Sequence, residues 1–196
     1  MNKRDFIKAS LVGLAAFCAT PASAEQLPLS ALSDYFNSLE SAQTAFTQIN
    51  SNGSQTTGTV YIKRPGRMRF EYNGTNAPLV LASAGSIAVY DGKSKGKPKI
   101  YPLRRSPLNL ILAKNVNLET SGMVVKQTYD GRFTSIIARD PKEPNLGQIQ
   151  LVFTDNPIQL RQWIVTDQSR NRTTVKLDAL NTSTEHSNKL FRITKP

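Results

Sequence analysis

Leu29, Leu32, Tyr35, Phe36 and Leu39 recur at helical spacing, with Pro28 near the start and Ser30, Ser33 and Asp34 on the other side. That spacing predicts one amphipathic helix. Beyond it the period falls to two. Met68, Phe70 and Tyr72 alternate with Arg67, Arg69 and Glu71, and Ile149, Leu151 and Phe153 alternate with Gln148, Gln150 and Val152. These stretches read as strands with one apolar face. Asn52-Gly53, Asn73-Gly74, Asp91-Gly92, Asp130-Gly131 and Asp155-Asn156-Pro157 punctuate them as turns. Asp130-Gly131, between 123–129 and 132–138, is the strongest hairpin pattern. The spacing predicts about ten strands in hairpin order. A meander of that size must curl or split into two layers, because a flat open sheet leaves its apolar face wet. No internal repeat, heptad pattern or long low-complexity linker suggests a second domain.

One segment departs from the β pattern. Ser106-Pro107 is an N-cap followed by proline at the first helical position, and Leu108, Leu110, Ile111, Leu112 and Ala113 form a short helix that Lys114-Asn115 ends. A helix apolar nearly all round must be covered. It either plugs a core or lines a pocket for an apolar ligand.

The first 24 residues read as a secretory signal peptide. Lys3, Arg4 and Lys8 form a positive head, the run from Ile7 to Ala19 is mostly apolar, and Ala22-Ser23-Ala24 supplies a small-residue cleavage pattern. The run stops at Thr20-Pro21, short of the roughly 20 apolar residues a membrane span needs. Lys3-Arg4-Asp5-Phe6-Ile7-Lys8 also resembles a twin-arginine signal with lysine in the first arginine place, which leaves the export route open. Phe17 before Cys18 argues against lipid attachment. With Cys18 removed, residues 25–196 hold no cysteine, so neither a disulfide nor a thiolate site is available to them.

Charge sharpens the picture. The chain carries 25 Lys and Arg against 14 Asp and Glu. Residues 1–24 account for three of the cations and one acid, which leaves 22 against 13, a net charge of +9 on residues 25–196. Such a surplus suits nucleic acid, anionic lipid headgroups or plain solubility. Export favours a membrane surface or an acidic partner over nucleic acid.

Catalytic constellations do not emerge. His186 is the sole histidine and lies in the polar stretch 183–189, which reads as an exposed surface loop. No G-x-S-x-G elbow occurs. Gly92-Lys93-Ser94 lacks the upstream glycine spacing of a phosphate loop and reads as a basic hairpin turn running through Lys95, Lys97 and Lys99. The expectation is a metal-free, cofactor-free, non-enzymatic monomer.

The run from Gly58 to Tyr72, with Lys63-Arg64-Pro65 at its centre, resembles the signature strand pair of the outer-membrane lipoprotein carrier family, LolA. Phe46-Thr47-Gln48 before it matches the strand after the first helix, and Val89-Tyr90-Asp91, Ser106-Pro107-Leu108, Leu160, Trp163, Val165 and Asp167 match later elements. The resemblance covers nearly all of residues 25–196. It implies a mainly β fold, an incomplete antiparallel half-barrel whose short helices form a lid over a hydrophobic cavity. It also implies a periplasmic chaperone that accepts acylated lipoproteins from an inner-membrane ATP-driven releasing complex. Delivery would be to a LolB-like acceptor or to the outer membrane itself. A lipid- or lipoprotein-sensing regulatory module of related half-barrel fold is the alternative.

By the same resemblance, the arginine of Lys63-Arg64-Pro65 is a lid latch, hydrogen-bonding helix carbonyls in the closed empty state. Arginine beside proline at a strand end otherwise reads as a solvated surface residue. The cargo-binding candidates are Phe36, Phe46, Met68, Phe70, Tyr72, Leu108, Leu110, Ile111 and Trp163, each of which would serve equally as ordinary core. Two departures matter. The chain stops at Pro196, without the C-terminal extension of some members. Arg67, Arg69 and the Lys93 to Lys99 turn make it unusually basic, in favour of either anionic lipid or an acidic acceptor.

Overall fold

The computed structural model describes residues 25–94 and 96–193, so the export segment lies outside the described residues. The amphipathic stretch forms α1 (Leu29–Ser38), with Leu32 and Phe36 buried. Six strands follow in meander order: β1 (Ser41–Ile49), β2 (Gln55–Lys63), β3 (Arg67–Tyr72), β4 (Leu79–Ser83), β5 (Ser86–Tyr90) and β6 (Lys99–Pro102). A 3-10 turn (Leu103–Arg105) and α2 (Leu108–Leu112) interrupt them. Five more strands complete the chain: β7 (Val124–Tyr129), β8 (Thr134–Ala138), β9 (Gln148–Asp155), β10 (Ile158–Thr166) and β11 (Arg172–Leu177).

All eleven strands join one antiparallel sheet in the order β6-β5-β4-β3-β2-β1-β11-β10-β9-β8-β7. The two meanders meet where β1 pairs with β11, Phe46 opposite Leu177 and Ile49 opposite Thr174. The sheet stays open, with β6 and β7 as its free edges. The chain must therefore run from one edge to the other between Leu103 and Met123, and this crossing carries α2 over the inner face. Topology, more than local sequence, makes α2 a cover. The result is an open half-barrel with short helices, as the resemblance implies, with eleven strands against about ten from turn spacing.

Local chemistry accounts for the turns. At the β7–β8 hairpin the Asp130 carboxylate accepts the amides of Arg132 (3.0 Å) and Phe133 (2.7 Å), an Asx turn that tightens the link. The β4–β5 link was not among the turn signals: Ala84 (φ 47°) precedes Gly85 (φ 74°), and alanine there is sterically costly. The alternation in β3 and β9 is realised, since Met68 and Phe70, and Ile149, Leu151 and Phe153, are buried.

The inward side chains form one continuous apolar cluster with α1 and α2. A smaller cluster on the outer face joins Leu81 and Ala88 to Phe191, in the 3-10 turn Asn188–Phe191. The segment leading into that turn corrects the reading of His186. Its side chain is only 7% exposed and meets the Tyr61 ring edge-on at 5.3 Å. The Lys63 ammonium donates to its backbone carbonyl (2.6 Å), so a polar stretch is tied down as a strap across the outer face. Ser33 is corrected too. It is buried, its Oγ donating to the Leu29 carbonyl (2.8 Å) and accepting the Leu118 amide (2.9 Å).

Candidate functional site

Phe36, Phe46, Met68, Phe70, Leu110, Ile111 and Trp163 all belong to the inner cluster, with Tyr72 and Leu108 packed against it half-buried. Sequence reading named these residues one by one, and the fold brings them together. Their rings meet edge to face: Phe46 with Phe70 (5.4 Å) and Tyr72 (5.1 Å), and Phe70 with Trp163 (6.1 Å). Across the sheet Phe36 meets Phe153 (5.7 Å). Edge-to-face pairs add to the area they bury. Tyr72 also gives its hydroxyl to Gln48 Oε1 (2.7 Å), and burial pushes its phenol up to about 12.

The inner space is filled in this structure. Leu110, Ile111 and Leu112 of α2 are buried within it. A crevice beside α2, floored by Leu110, Ala138 and Ile149, measures ≈ 90 Å³. That is room for about three waters at their liquid volume, far less than an acyl chain requires. Uptake of a long apolar ligand thus requires α2, α1 or both to move off the sheet.

Besides the buried apolar side chains of both helices, a short set of polar bonds ties them down. Arg64, 8% exposed, donates through Nη2 to the carbonyl of Ala113, where α2 ends. The Gly66 amide donates to the Leu112 carbonyl (2.9 Å). Helix ends leave carbonyls without intrahelical partners, and here the β2–β3 hairpin tip supplies donors to two of them. One donor, Arg64, belongs to the Lys63-Arg64-Pro65 motif and the other, Gly66, follows it directly; the Arg64 amide is held by the Glu40 carbonyl (2.8 Å). Burial pulls the Arg64 guanidinium below its ordinary value, and its Nε is buried without a partner.

Two further residues stitch the cover, and sequence reading missed both. Asn37 donates through Nδ2 to the Val116 carbonyl (2.9 Å) and accepts the Val116 amide at Oδ1 (2.9 Å). One helical turn earlier, Ser33 accepts the Leu118 amide. Together they bind α1 to the segment after α2. The available signal was a polar pair four residues apart beside the apolar stripe of α1. From the other side Tyr35 accepts the Leu160 amide of β10 (3.1 Å), and burial raises its phenol. Beside Arg64 a groove of ≈ 730 Å³ opens between the end of α1 and residues 182–185, lined by Lys63, Glu40 and Lys114.

Among known proteins, the sequence pattern of the family described as outer membrane lipoprotein carrier protein LolA matches residues 37–194. An outer-membrane lipoprotein carrier protein of Coxiella burnetii is 23% identical over 178 residues, covering 86% of this chain and 83% of its own. Among solved structures, a DUF1329 family protein from Desulfovibrio piger superposes with a TM-score of 0.50 at 11% identity, covering 84% of this chain and 94% of that one. A LolA superfamily protein from Nitrosomonas europaea gives 0.45 at 7% identity, covering 85% and 98%.

Proposed function

Because this chain belongs to the LolA family of outer membrane lipoprotein carrier proteins, we propose that it is a periplasmic carrier. In this reading it shields the acyl chains of lipoproteins released from the inner membrane and delivers them to the outer membrane. Residues 1–24 direct export and are removed, and residues 25–196 work as a monomer. The inner-membrane releasing complex loads the carrier, and a LolB-like acceptor or the membrane itself unloads it.

The observation that carries this reading is the inner cluster itself. It is one apolar surface across eight strands, covered by two short helices that a handful of polar bonds retain. Magnitudes favour exchange of helix for cargo. Burying three aliphatic side chains such as Leu110, Ile111 and Leu112 is worth about 5–9 kcal/mol at 1.5–3 each. Burying an acyl chain of roughly sixteen carbons is worth about 12 kcal/mol at ~0.8 per methylene. A single chain therefore compensates for displacing α2, and a second chain favours the loaded form further. The lid bonds act in the opposite sense, favouring the empty form and so release.

Mass spectrometry of material co-purified from the exporting cell tests the proposal. Acylated lipoproteins in stoichiometric amount are the expected result. Purification with no acylated protein, from a cell shown to be releasing lipoproteins, would overturn it.

A further inference from the structure

The basic surplus has a location. Arg104 and Arg105, in the turn after β6, border the crevice beside α2, and Arg139 at the end of β8 borders its other side. Arg139 also lines an adjoining depression of ≈ 880 Å³ with Arg170 and Arg172. Among the described residues the ion pairs are Lys63–Glu185 and Arg69–Glu71, so none of these five arginines has a carboxylate partner. Three carboxylates lie nearby against the five arginines, which keeps this end net positive: Glu143 is exposed in the β8–β9 link, and two aspartates hold turn amides. Asp140 accepts the amides of Lys142 (2.8 Å) and Glu143 (3.4 Å), and Asp167 accepts the amide and side-chain Nδ2 of Asn171 (2.8 and 3.0 Å).

The crevice between the arginines is apolar. Leu110 and Ile149 in its floor belong to the inner cluster, with Met123 and Leu146 beside them. Two of the most exposed large apolar side chains, Ile100 (53%) and Tyr101 (51%), stand on edge strand β6 just before Arg104. Guanidinium forks match phosphate oxygens. Tyrosine and aliphatic side chains next to such cations suit the boundary between headgroups and acyl chains. An acidic protein would satisfy the arginines and leave the apolar floor unused.

From this coincidence we propose that the end of the molecule formed by β6, the Leu103–Arg105 turn and the β8–β9 link docks on an anionic phospholipid surface. The arginines take the lipid phosphates, Ile100 and Tyr101 enter the interface, and the crevice faces the acyl region. The interaction needs no lipoprotein and is tested without one, so it stands or falls apart from the carrier reading.

The experiment is flotation of the purified protein with phosphatidylcholine vesicles, with and without phosphatidylglycerol, at low and high salt. Binding only to the anionic vesicles, weakened by salt, is expected. Arg104→Gln/Arg105→Gln/Arg139→Gln should weaken it roughly a hundredfold, at ~1 kcal/mol per cation near the surface and 1.4 kcal/mol per tenfold. Lys176→Gln/Lys189→Gln/Arg192→Gln removes the same charge from exposed positions away from the crevice and should leave binding nearly unchanged. Equal loss in the two triple variants, or no binding to anionic vesicles, would overturn the proposal. Asn109→Trp at the crevice rim should shift its emission to the blue on anionic vesicles and be quenched by brominated acyl chains. Persisting vesicle binding with unchanged Asn109→Trp emission would place the contact elsewhere and equally overturn it.

Discussion

Arg64 reaches from the tip of the β2–β3 hairpin to the carbonyl of Ala113, joining a locally paired hairpin to a helix delivered by a long crossover. The bond exists only while α2 lies on the sheet. A group that stabilises one state shifts an equilibrium by its differential interaction alone, so this contact bears on the balance between covered and uncovered forms.

The first prediction follows from that balance. A hydrogen bond to a charged group is worth roughly 1.5–3 kcal/mol, about a tenfold to hundredfold shift. Under the latch role proposed for Arg64, Arg64→Leu loads a fluorescent lipopeptide at least as well as wild type and surrenders it more slowly to acceptor-bearing liposomes. Arg64→Lys falls between, because a strongly hydrated ammonium on a stem of different length and shape reproduces the single Nη2 bond to Ala113 less well. Unchanged affinity with unchanged transfer would remove the latch role.

The second prediction concerns α2. Ile111 is fully buried in the empty form, so Ile111→Ala should lower stability by about 2–5 kcal/mol. If cargo displaces α2, the loaded form loses less than the empty form, and acyl-probe affinity rises as stability falls. Melts with and without a saturating acyl probe check this. A parallel fall of both melting temperatures would show that α2 stays in the core when the probe binds.

Tyr72 supplies a pH dependence. Its phenol is raised from 10.0 to about 12 in the fold. Between those values the unfolded chain has lost the proton while the folded chain keeps it, so stability declines with rising pH there. The contribution is complete below pH 10 and lost as pH passes through about 12. At 1.36 kcal/mol per pH unit it amounts to up to ~2.7 kcal/mol. Denaturant unfolding across this window should be flatter for Tyr72→Phe than for wild type, and identical slopes would contradict the assignment.

Gly58, in β2 beside the aromatic cluster, leaves no room for a side chain. A Cβ added there would lie 2.1 Å from the Glu71 carbonyl oxygen and 2.8 Å from the Phe46 ring. Backbone cannot yield as a flexible side chain does, so Gly58→Ala should cost about 1–3 kcal/mol or more. A melting temperature within error of wild type would show that β2 and β3 part more easily than this geometry implies.

Much of this was legible along the chain. The alternations of β3 and β9, the apolar stripe of α1, the Asp130-Gly131 turn and the Ser106-Pro107 helix start are all read from neighbours a few residues apart, as the chain realises them. In the last case Ser106 Oγ accepts the Leu108 amide (3.2 Å). Ala84 turned the chain without a sequence signal, since the pairing of β4 with β5, Ser83 opposite Ser86, holds it at positive φ.

The sequence by itself determined which faces are apolar, where the strands break and, through the Lys63-Arg64-Pro65 motif, which family the chain resembles. Periodicity records the direction of a side chain relative to its neighbours. It does not record what lies opposite. Only the tertiary structure decided that β1 pairs with β11, that the segment between β6 and β7 crosses from edge to edge and lays α2 into the inner space, and that Ser33 and Asn37 hold α1 to the crossover. It also buried His186, which sits in a polar stretch that reads as surface, by laying that stretch against Tyr61 and Lys63. Each of these depends on contacts between residues far apart in the chain, and such contacts arise only when the whole sheet has formed.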